Sequence, residues 1–279
     1  MGTSGSFGGS GGKDAKDLRD NIAGWLDGDD GDVTGAADGH ADGDGDAGGQ
    51  QSTPATGAGS PARTIDLGPA VRLLFRSRGG GGDGPGGGGG GGAGGGGSRS
   101  SGGVTRSVGR ISRAAGRGGS LALAYSTGDR AALDRAGLNY DELRALGDPV
   151  AIGIRIVEAA FDAKADSTIA DAEERGIVAE VVAWILEQPS DRTPTPEEVV
   201  RKTIETTIAE TALTEIASTL YQQGASYAER QSVEQQIREV AAEYAAQANL
   251  TATGATEQEM STAIETGIRD IGIIFGVAP

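Results

Sequence analysis

The residue types that carry most enzyme chemistry are scarce in this chain of 279 residues, which has no cysteine and one histidine, His40. His40 stands in an Asp- and Gly-rich run over 27–46, whereas a general base or a metal ligand needs a fixed position. We therefore expect no serine triad, no Cys–His pair and no histidine-based metal centre. This pattern favours a protein that is not an enzyme and that has no metal or cofactor.

Carboxylates are the one abundant group with catalytic potential, so a carboxylate-pair enzyme stays open as a lesser alternative. On amphipathic helices such charges usually form the solvated face. The run DGDGDA over 42–47 is similar to the start of a calcium loop, but Ala47 replaces the required glycine and Thr53 replaces the final glutamate. We interpret this run as an acidic, solvated segment.

The α-amine of Gly2 is the most distinctive reactive group. Removal of the initiator methionine before this small residue would leave a free amine on a residue without a side chain, and a tail of small residues suits entry into another enzyme's active site. The start MGTSGS also matches the N-myristoylation pattern. A lipid-anchored adaptor is thus an alternative, although no basic cluster or second lipid site supplies the second signal that stable anchoring needs.

Four arginines at spacings of 4, 3 and 4 form one helical stripe. They are Arg106, Arg110, Arg113 and Arg117. Such a stripe predicts contact with nucleic acid or with acidic residues, and the lack of accompanying aromatic residues argues against single-strand recognition. Residues 119–279 carry 12 basic and 27 acidic groups, so we favour docking on the chain's own helices. An architectural nucleic-acid-binding protein that uses 63–117 is the alternative function.

The distribution of glycine divides the chain near residue 103, because 36 of the 50 glycines precede that point. A segment so poor in large apolar residues cannot offset the entropy of ordering it. We predict a mostly disordered Gly/Asp-rich tail over 1–103, followed by a helical domain over 104–279. The nearly pure glycine run over 79–103 is expected to let everything before it move semi-independently of that domain.

Two short apolar islands, 13–26 and 63–78, interrupt this tail. Each either folds on binding a partner or packs on the chain's own helical domain, and the sequence leaves both alternatives open. The candidate partner-binding residues of the tail are Thr3, Ser4, Phe7, Leu18, Ile22, Trp25, Leu74 and Phe75.

Apolar residues recur at helical spacing throughout 104–279, which predicts an all-α fold, an irregular bundle of about six or seven helices. Thr256 with Glu259 is a capping-box pattern that starts the last helix. Gly118 and Gly119 are expected to interrupt or cap the first helix. Two segments, 152–157 and 271–276, have local β propensity.

No N-terminal apolar region typical of a signal peptide is present, and no apolar run approaches the ~20 residues of a membrane span. We therefore expect a cytoplasmic protein without membrane contact.

The start MGTSGSFGGSGG, the low-complexity tail and the segment GGSLALAYSTGDRAAL over 118–133 together resemble the QatB family. These are the small partner proteins of the Qat bacterial anti-phage defence system. The resemblance is specific over about the first ten residues and looser over 104–147.

This resemblance implies a system with an ATPase, a QueC-like enzyme and a TatD-like nuclease. QueC-like enzymes of defence systems attach a deazaguanine-type base to the N-terminal glycine of a partner, which corresponds to Gly2 here, with Thr3 and Ser4 as recognition residues. The expected function is that of a non-catalytic defence component, a substrate and scaffold for its partner enzymes.

Overall fold

The computed structural model describes residues 12–27, 64–75, 108–161, 169–189, 191–250 and 253–276. All regular secondary structure within these ranges is α-helical, which confirms the all-α prediction. Ten helices are present there, and eight of them lie within 104–279, the range for which about six or seven were expected. They are α1 Lys13–Asp27, α2 Gly68–Leu74, α3 Val108–Thr127, α4 Arg130–Arg135, α5 Tyr140–Ala145, α6 Pro149–Ala160, α7 Ile169–Leu186, α8 Pro196–Gln222, α9 Tyr227–Ala246 and α10 Glu257–Ile274.

Helix α8 lies at the centre of the bundle and contacts α1, α2, α3, α7, α9 and α10. Its buried residues surround the helix rather than forming one stripe, as expected for a helix enclosed by others. The buried hydroxyls of Thr203, Thr207 and Thr211 each donate to the carbonyl four residues earlier, over 2.6–2.8 Å. These bonds let three polar side chains occupy the core.

One arginine joins three of the long helices. Arg238 of α9 lies 2.7 Å from Glu180 of α7, 3.1 Å from Glu210 of α8 and 3.2 Å from Glu234 one turn earlier. Burial alone would lower the pKa of Arg238, but the three carboxylates raise it. The guanidinium therefore stays charged and ties α7, α8 and α9 together.

The prediction that Gly118 and Gly119 interrupt or cap a helix is wrong, since α3 continues through both residues. A Cβ at Gly118 would lie 2.6 Å from Val178 Cγ1, and one at Gly119 would lie 2.9 Å from Val199 Cγ1. These glycines thus allow α7 and α8 to approach the α3 backbone closely. Tertiary packing outweighs the low helix propensity of glycine here.

The two segments with β propensity are helical. Residues 152–157 belong to α6, where the Asp148 side chain accepts from the backbone N–H groups of Val150 and Ala151 and thereby caps the helix. Most of 271–276 forms the last turn of α10. One face of α6, including Ile152 and Ile156, is buried in the core. This burial outweighs the local β propensity of the segment.

The two apolar islands of the tail belong to the bundle. Helix α1 contacts α2 and α8, and α2 also contacts α10. The expectation that everything before the glycine run over 79–103 moves semi-independently is therefore wrong for 12–27 and 64–75, because their apolar faces pack in the common core. The predicted disorder concerns the rest of 1–103, which lies outside the described residues.

Candidate functional site

Helix α1 fixes the point on the bundle from which the N-terminal residues leave. Ala15, Leu18 and Ile22 share one face of α1 and are fully buried. Trp25 is half-buried and packs against the same core. The helical spacing that the sequence shows thus produces an apolar face whose residues Ala15, Leu18 and Ile22 are covered completely by the bundle.

Polar contacts on both sides of that face hold α1 in register. Asp14 accepts from Arg72 Nε of α2 at 2.9 Å, and Glu215 of α8 accepts from Arg19 Nη2 at 2.9 Å. Near the other end of α1, Asn21 Oδ1 accepts from the backbone N–H of Asp66 at 3.0 Å. These contacts involve two partner segments, so they set both the position and the rotation of α1.

The second island closes the bundle between α1 and the end of α10. Leu74 is buried, whereas Phe75 is half-buried and lies against Gly272, where a Cβ would be 2.7 Å from the Phe75 ring. Tyr244 stacks on Phe275 with ring centroids 4.5 Å apart, and its hydroxyl donates to Asp66 at 3.4 Å. Burial, and then the charge of Asp66, raise the pKa of Tyr244 to about 12.

Packing on the chain's own helices is therefore the alternative that the structure shows for both islands. Leu18, Ile22 and Leu74 lie in the core, so their side chains are not available to a partner in this structure. Trp25 and Phe75 are half-buried against the same core. Docking of a partner on the two islands stays a prediction.

The predicted N-terminal site lies outside the described residues, which begin at Gly12. This applies to Gly2, Thr3, Ser4 and Phe7. The structure limits how far these residues can lie from the bundle, because they are joined to α1. The stretch of chain from Gly2 to Gly12 can span at most about 35 Å when fully extended, so α1 keeps Gly2 within that distance of the bundle.

Two arginines of the stripe face acidic residues of the chain itself, as we favoured. Arg110 Nη2 lies 2.5 Å from Glu174 Oε1, a carboxylate whose side chain is 5% exposed. Arg117 Nε lies 3.9 Å from Glu257 Oε2. Arg113 is exposed, and Arg106 lies outside the described residues. Two of the four candidate nucleic-acid contacts thus have intramolecular partners, and nucleic-acid binding stays a prediction.

Sequence reasoning missed an apolar groove of about 280 Å³ between α6 and α7. Its walls and floor combine large and small apolar residues with a glutamate near each end. The lining residues are Pro149, Val150, Gly153, Ile154, Val157, Glu158, Ala179, Ala183, Leu186 and Glu187. The composition of α6 is the sequence feature that could have indicated the groove. Apolar residues cover more of this helix than its buried face, a pattern typical of a helix with a second contact surface.

A second depression, about 350 Å³ in volume, lies beside α3 and α4 and is lined in part by polar side chains. Those polar groups are used within the chain. Ser120 donates to the Ala255 carbonyl at 2.7 Å, Arg135 Nε donates to the Ala131 carbonyl at 3.1 Å, and Asp129 accepts from the Ala132 N–H at 3.0 Å. The depression is therefore explained by capping and packing around α4.

Among the residues that the structure describes, no group of three or more histidine, cysteine or acidic side chains could hold a metal ion. Within the same part of the chain, no helix is both long enough and apolar enough to cross a bilayer.

Comparison with known proteins gives no assignment for this arrangement: no family model, no curated protein and no solved structure matches the chain.

Proposed function

We propose that this chain is a non-catalytic component of a Qat-type anti-phage defence system, a helical scaffold that presents Gly2 to a QueC-like partner enzyme. The partner attaches a deazaguanine-type base to the α-amine of Gly2, with Thr3 and Ser4 as recognition residues. The ATPase and the TatD-like nuclease of such a system are further candidate partners. The resemblance of the first residues to the QatB family motivates the proposal, and the anchoring of α1 is the structural observation that supports it.

Anchoring matters because the modified residue must reach an active site on another protein. The contacts of Asp14 and Arg19 hold α1 on the bundle. A partner that binds the bundle therefore finds the amine of Gly2 within about 35 Å of Gly12. A partner that is bound to the bundle but has its active site farther than this from Gly12 cannot modify Gly2 unless α1 unfolds.

The chemistry of the amine also suits the proposal. An α-amine ordinarily has a pKa of about 8, against about 10.4 for a lysine ε-amine. A larger share of α-amines is consequently neutral and nucleophilic near neutral pH. Because Gly2 has no side chain, its amine can also enter a narrow site that a larger residue could not.

Intact mass measurement with N-terminal peptide mapping tests this function. The full chain is expressed with its genomic neighbours and, separately, alone. We expect loss of Met1 and a mass increase on the peptide that begins at Gly2, only when the neighbours are present. An unmodified Gly2 under both conditions would reject the proposal.

The matched control variant is Gly2→Ala, which keeps a small second residue and hence removal of Met1. We expect less modification of this variant, because the added methyl group occupies the space beside the amine. Modification at a lysine instead of residue 2 would show that the α-amine is not the acceptor.

A further inference from the structure

Helix α6 leaves part of its apolar surface without a partner among the described residues. Ile152 and Ile156 face the core, whereas Val150 is 69% exposed and Ile154 is 55% exposed. These two exposed residues are four positions apart, so they lie on one face of the helix. A surface of this kind is typical of a protein contact.

The groove beside this face results from small residues along the seam between α6 and α7. Gly153, Ala179 and Ala183 line it, while Ile154 and Leu186 are among its larger lining residues. A Cβ at Gly153 would lie 3.6 Å from Leu186 Cδ1, which places the middle of α6 directly over the end of α7. The volume of about 280 Å³ is enough for a few aliphatic side chains of an incoming helix.

The direction of the two helices places one carboxylate near each end of the groove. Gly153 lies near Leu186, whereas Ala160 and Val178 lie together beside Gly118, so α6 and α7 run antiparallel. Glu187 therefore flanks the start of α6 and Glu158 flanks its later part. With a rise of 1.5 Å per residue, the two carboxylates are separated by about 10 Å along the helix axis.

Of the residues that the structure describes, Glu158 and Glu187 are the only ionisable ones that line the groove. Arg155 lies 3.4 Å from Glu158, but both side chains are more than half exposed, and an ion pair of that kind contributes little. The surrounding chain adds to the negative potential, since residues 119–279 carry 27 acidic and 12 basic groups. The groove thus favours an apolar occupant that carries positive charge at both ends.

We propose that the α6–α7 groove binds an amphipathic helix of a partner protein, with its apolar face on Val150, Ile154 and Leu186 and two basic residues about seven positions apart against Glu158 and Glu187. A spacing of seven residues corresponds to about 10 Å on one helix face, which matches the separation of the two carboxylates. The proposal concerns a surface distinct from the N-terminal segment and stands whether or not Gly2 is modified.

Charge also distinguishes this occupant from a second copy of the chain. The α6 of another copy would supply the same apolar face, but its basic residue Arg155 has Asp148 seven positions before it and Glu158 beside it at 3.4 Å. A second copy would therefore bring acidic groups to at least one acidic end of the groove, and like charges oppose association.

The test uses two synthetic helical peptides of about 18 residues, long enough for measurable helicity. Both carry leucines at i, i+3/i+4 and i+7. One has two lysines seven positions apart beside the leucines, and the other has glutamates there. Binding to the full chain is measured by fluorescence anisotropy, and the oligomeric state of the chain is measured by light scattering.

We expect saturable binding of the lysine peptide and at least tenfold weaker binding to the variant Ile154→Asp. The matched control is Ile273→Asp, because Ile273 of α10 is also 55% exposed but lies outside the groove. This control should leave the affinity unchanged. The double variant Glu158→Lys and Glu187→Lys should prefer the glutamate peptide, which a fold defect could not produce.

Three results would overturn the proposal. The first is no saturable binding of the lysine peptide. The second is equal loss of affinity in Ile154→Asp and Ile273→Asp. The third is a dimer that Ile154→Asp dissociates, which would identify a second copy as the occupant.

Discussion

Tyr244 shows at the residue scale how the second island is tied into the bundle. Its ring stacks on Phe275, and its hydroxyl donates to Asp66, which lies two residues before the start of α2. Burial and the nearby carboxylate both penalise the phenolate form, so the neutral form is favoured in the folded chain.

Raising the pH should therefore weaken the fold through Tyr244. Its folded-state pKa is raised to about 12, so its contribution to the free energy of unfolding is complete below the ordinary phenol pKa of about 10. That contribution is lost as the pH rises from about 10 towards 12. The measurement is a pH titration of phenolate absorbance. The unaltered chain should show a late ionisation step near pH 12, and the Tyr244→Phe variant should lack it.

Tyr221→Phe is the control, because Tyr221 is 80% exposed, and the late step should persist in it. A late step that is equally present in Tyr244→Phe would contradict this account.

Gly116 is the clearest case of a close approach in α3. A Cβ at this position would lie 2.7 Å from the backbone nitrogen of Ser261 and 2.9 Å from its Cα, both atoms of α10. Gly116→Ala should therefore lower the free energy of unfolding by about 1–3 kcal/mol, as overpacking does. The measurement is the denaturant midpoint.

The matched variant for Gly116 is Gly176→Ala in α7, where an added Cβ would meet nothing within 4 Å. Here the same substitution should stabilise the chain by about 0.5–1 kcal/mol, because alanine is the better helix former. Equal effects of the two variants would show that close packing of α3 and α10 is not the reason for the glycine.

At the scale of elements, α1 is the part of the structure on which the proposed function depends. Its apolar face is buried, and its polar contacts reach α2 and α8. An element held in this way should open only rarely. The limit of about 35 Å on the distance between Gly2 and Gly12 fixes Gly2 relative to the bundle only while α1 stays packed on it.

Amide hydrogen exchange measures this docking directly. Backbone amides of α1 should exchange slowly in the full chain, and Leu18→Ala should remove about 2–5 kcal/mol of packing. That loss corresponds to at least roughly 30-fold faster exchange across α1. Lys16→Ala, at an exposed position of α1, should have little effect, and α1 amides that exchange freely in the unaltered chain would refute the anchoring.

At the scale of the whole molecule, the helical class followed from apolar spacing and capping residues. The Thr256 capping box lies where the sequence placed the start of α10. The prediction that Gly118 and Gly119 end or interrupt a helix was wrong. The residues that approach these glycines, Val178 and Val199, come from distant parts of the chain, which local sequence does not show.

Less of the candidate sites than of the fold could be predicted from the sequence. The island containing Leu18 and Ile22 has the same amphipathic pattern whether it meets a partner or its own bundle, and only the three-dimensional contacts distinguish these cases. For Arg110 and Arg117 of the arginine stripe, the overall charge of residues 119–279 indicated the acidic partners that the structure shows. The α6–α7 groove was missed because it forms between two helices, and spacing within either one does not define it.

Together these features describe a bundle that holds α1 and α2 in its core, leaves Gly2 on a short N-terminal segment and carries a separate apolar groove. The central claim is that Gly2 is the acceptor of a covalent modification by a partner enzyme. Intact mass with N-terminal peptide mapping, on the chain produced with and without its genomic neighbours, tests this claim most directly. The account predicts a neighbour-dependent adduct on the amine of Gly2 with Met1 removed; an unmodified Gly2 in both samples would contradict it.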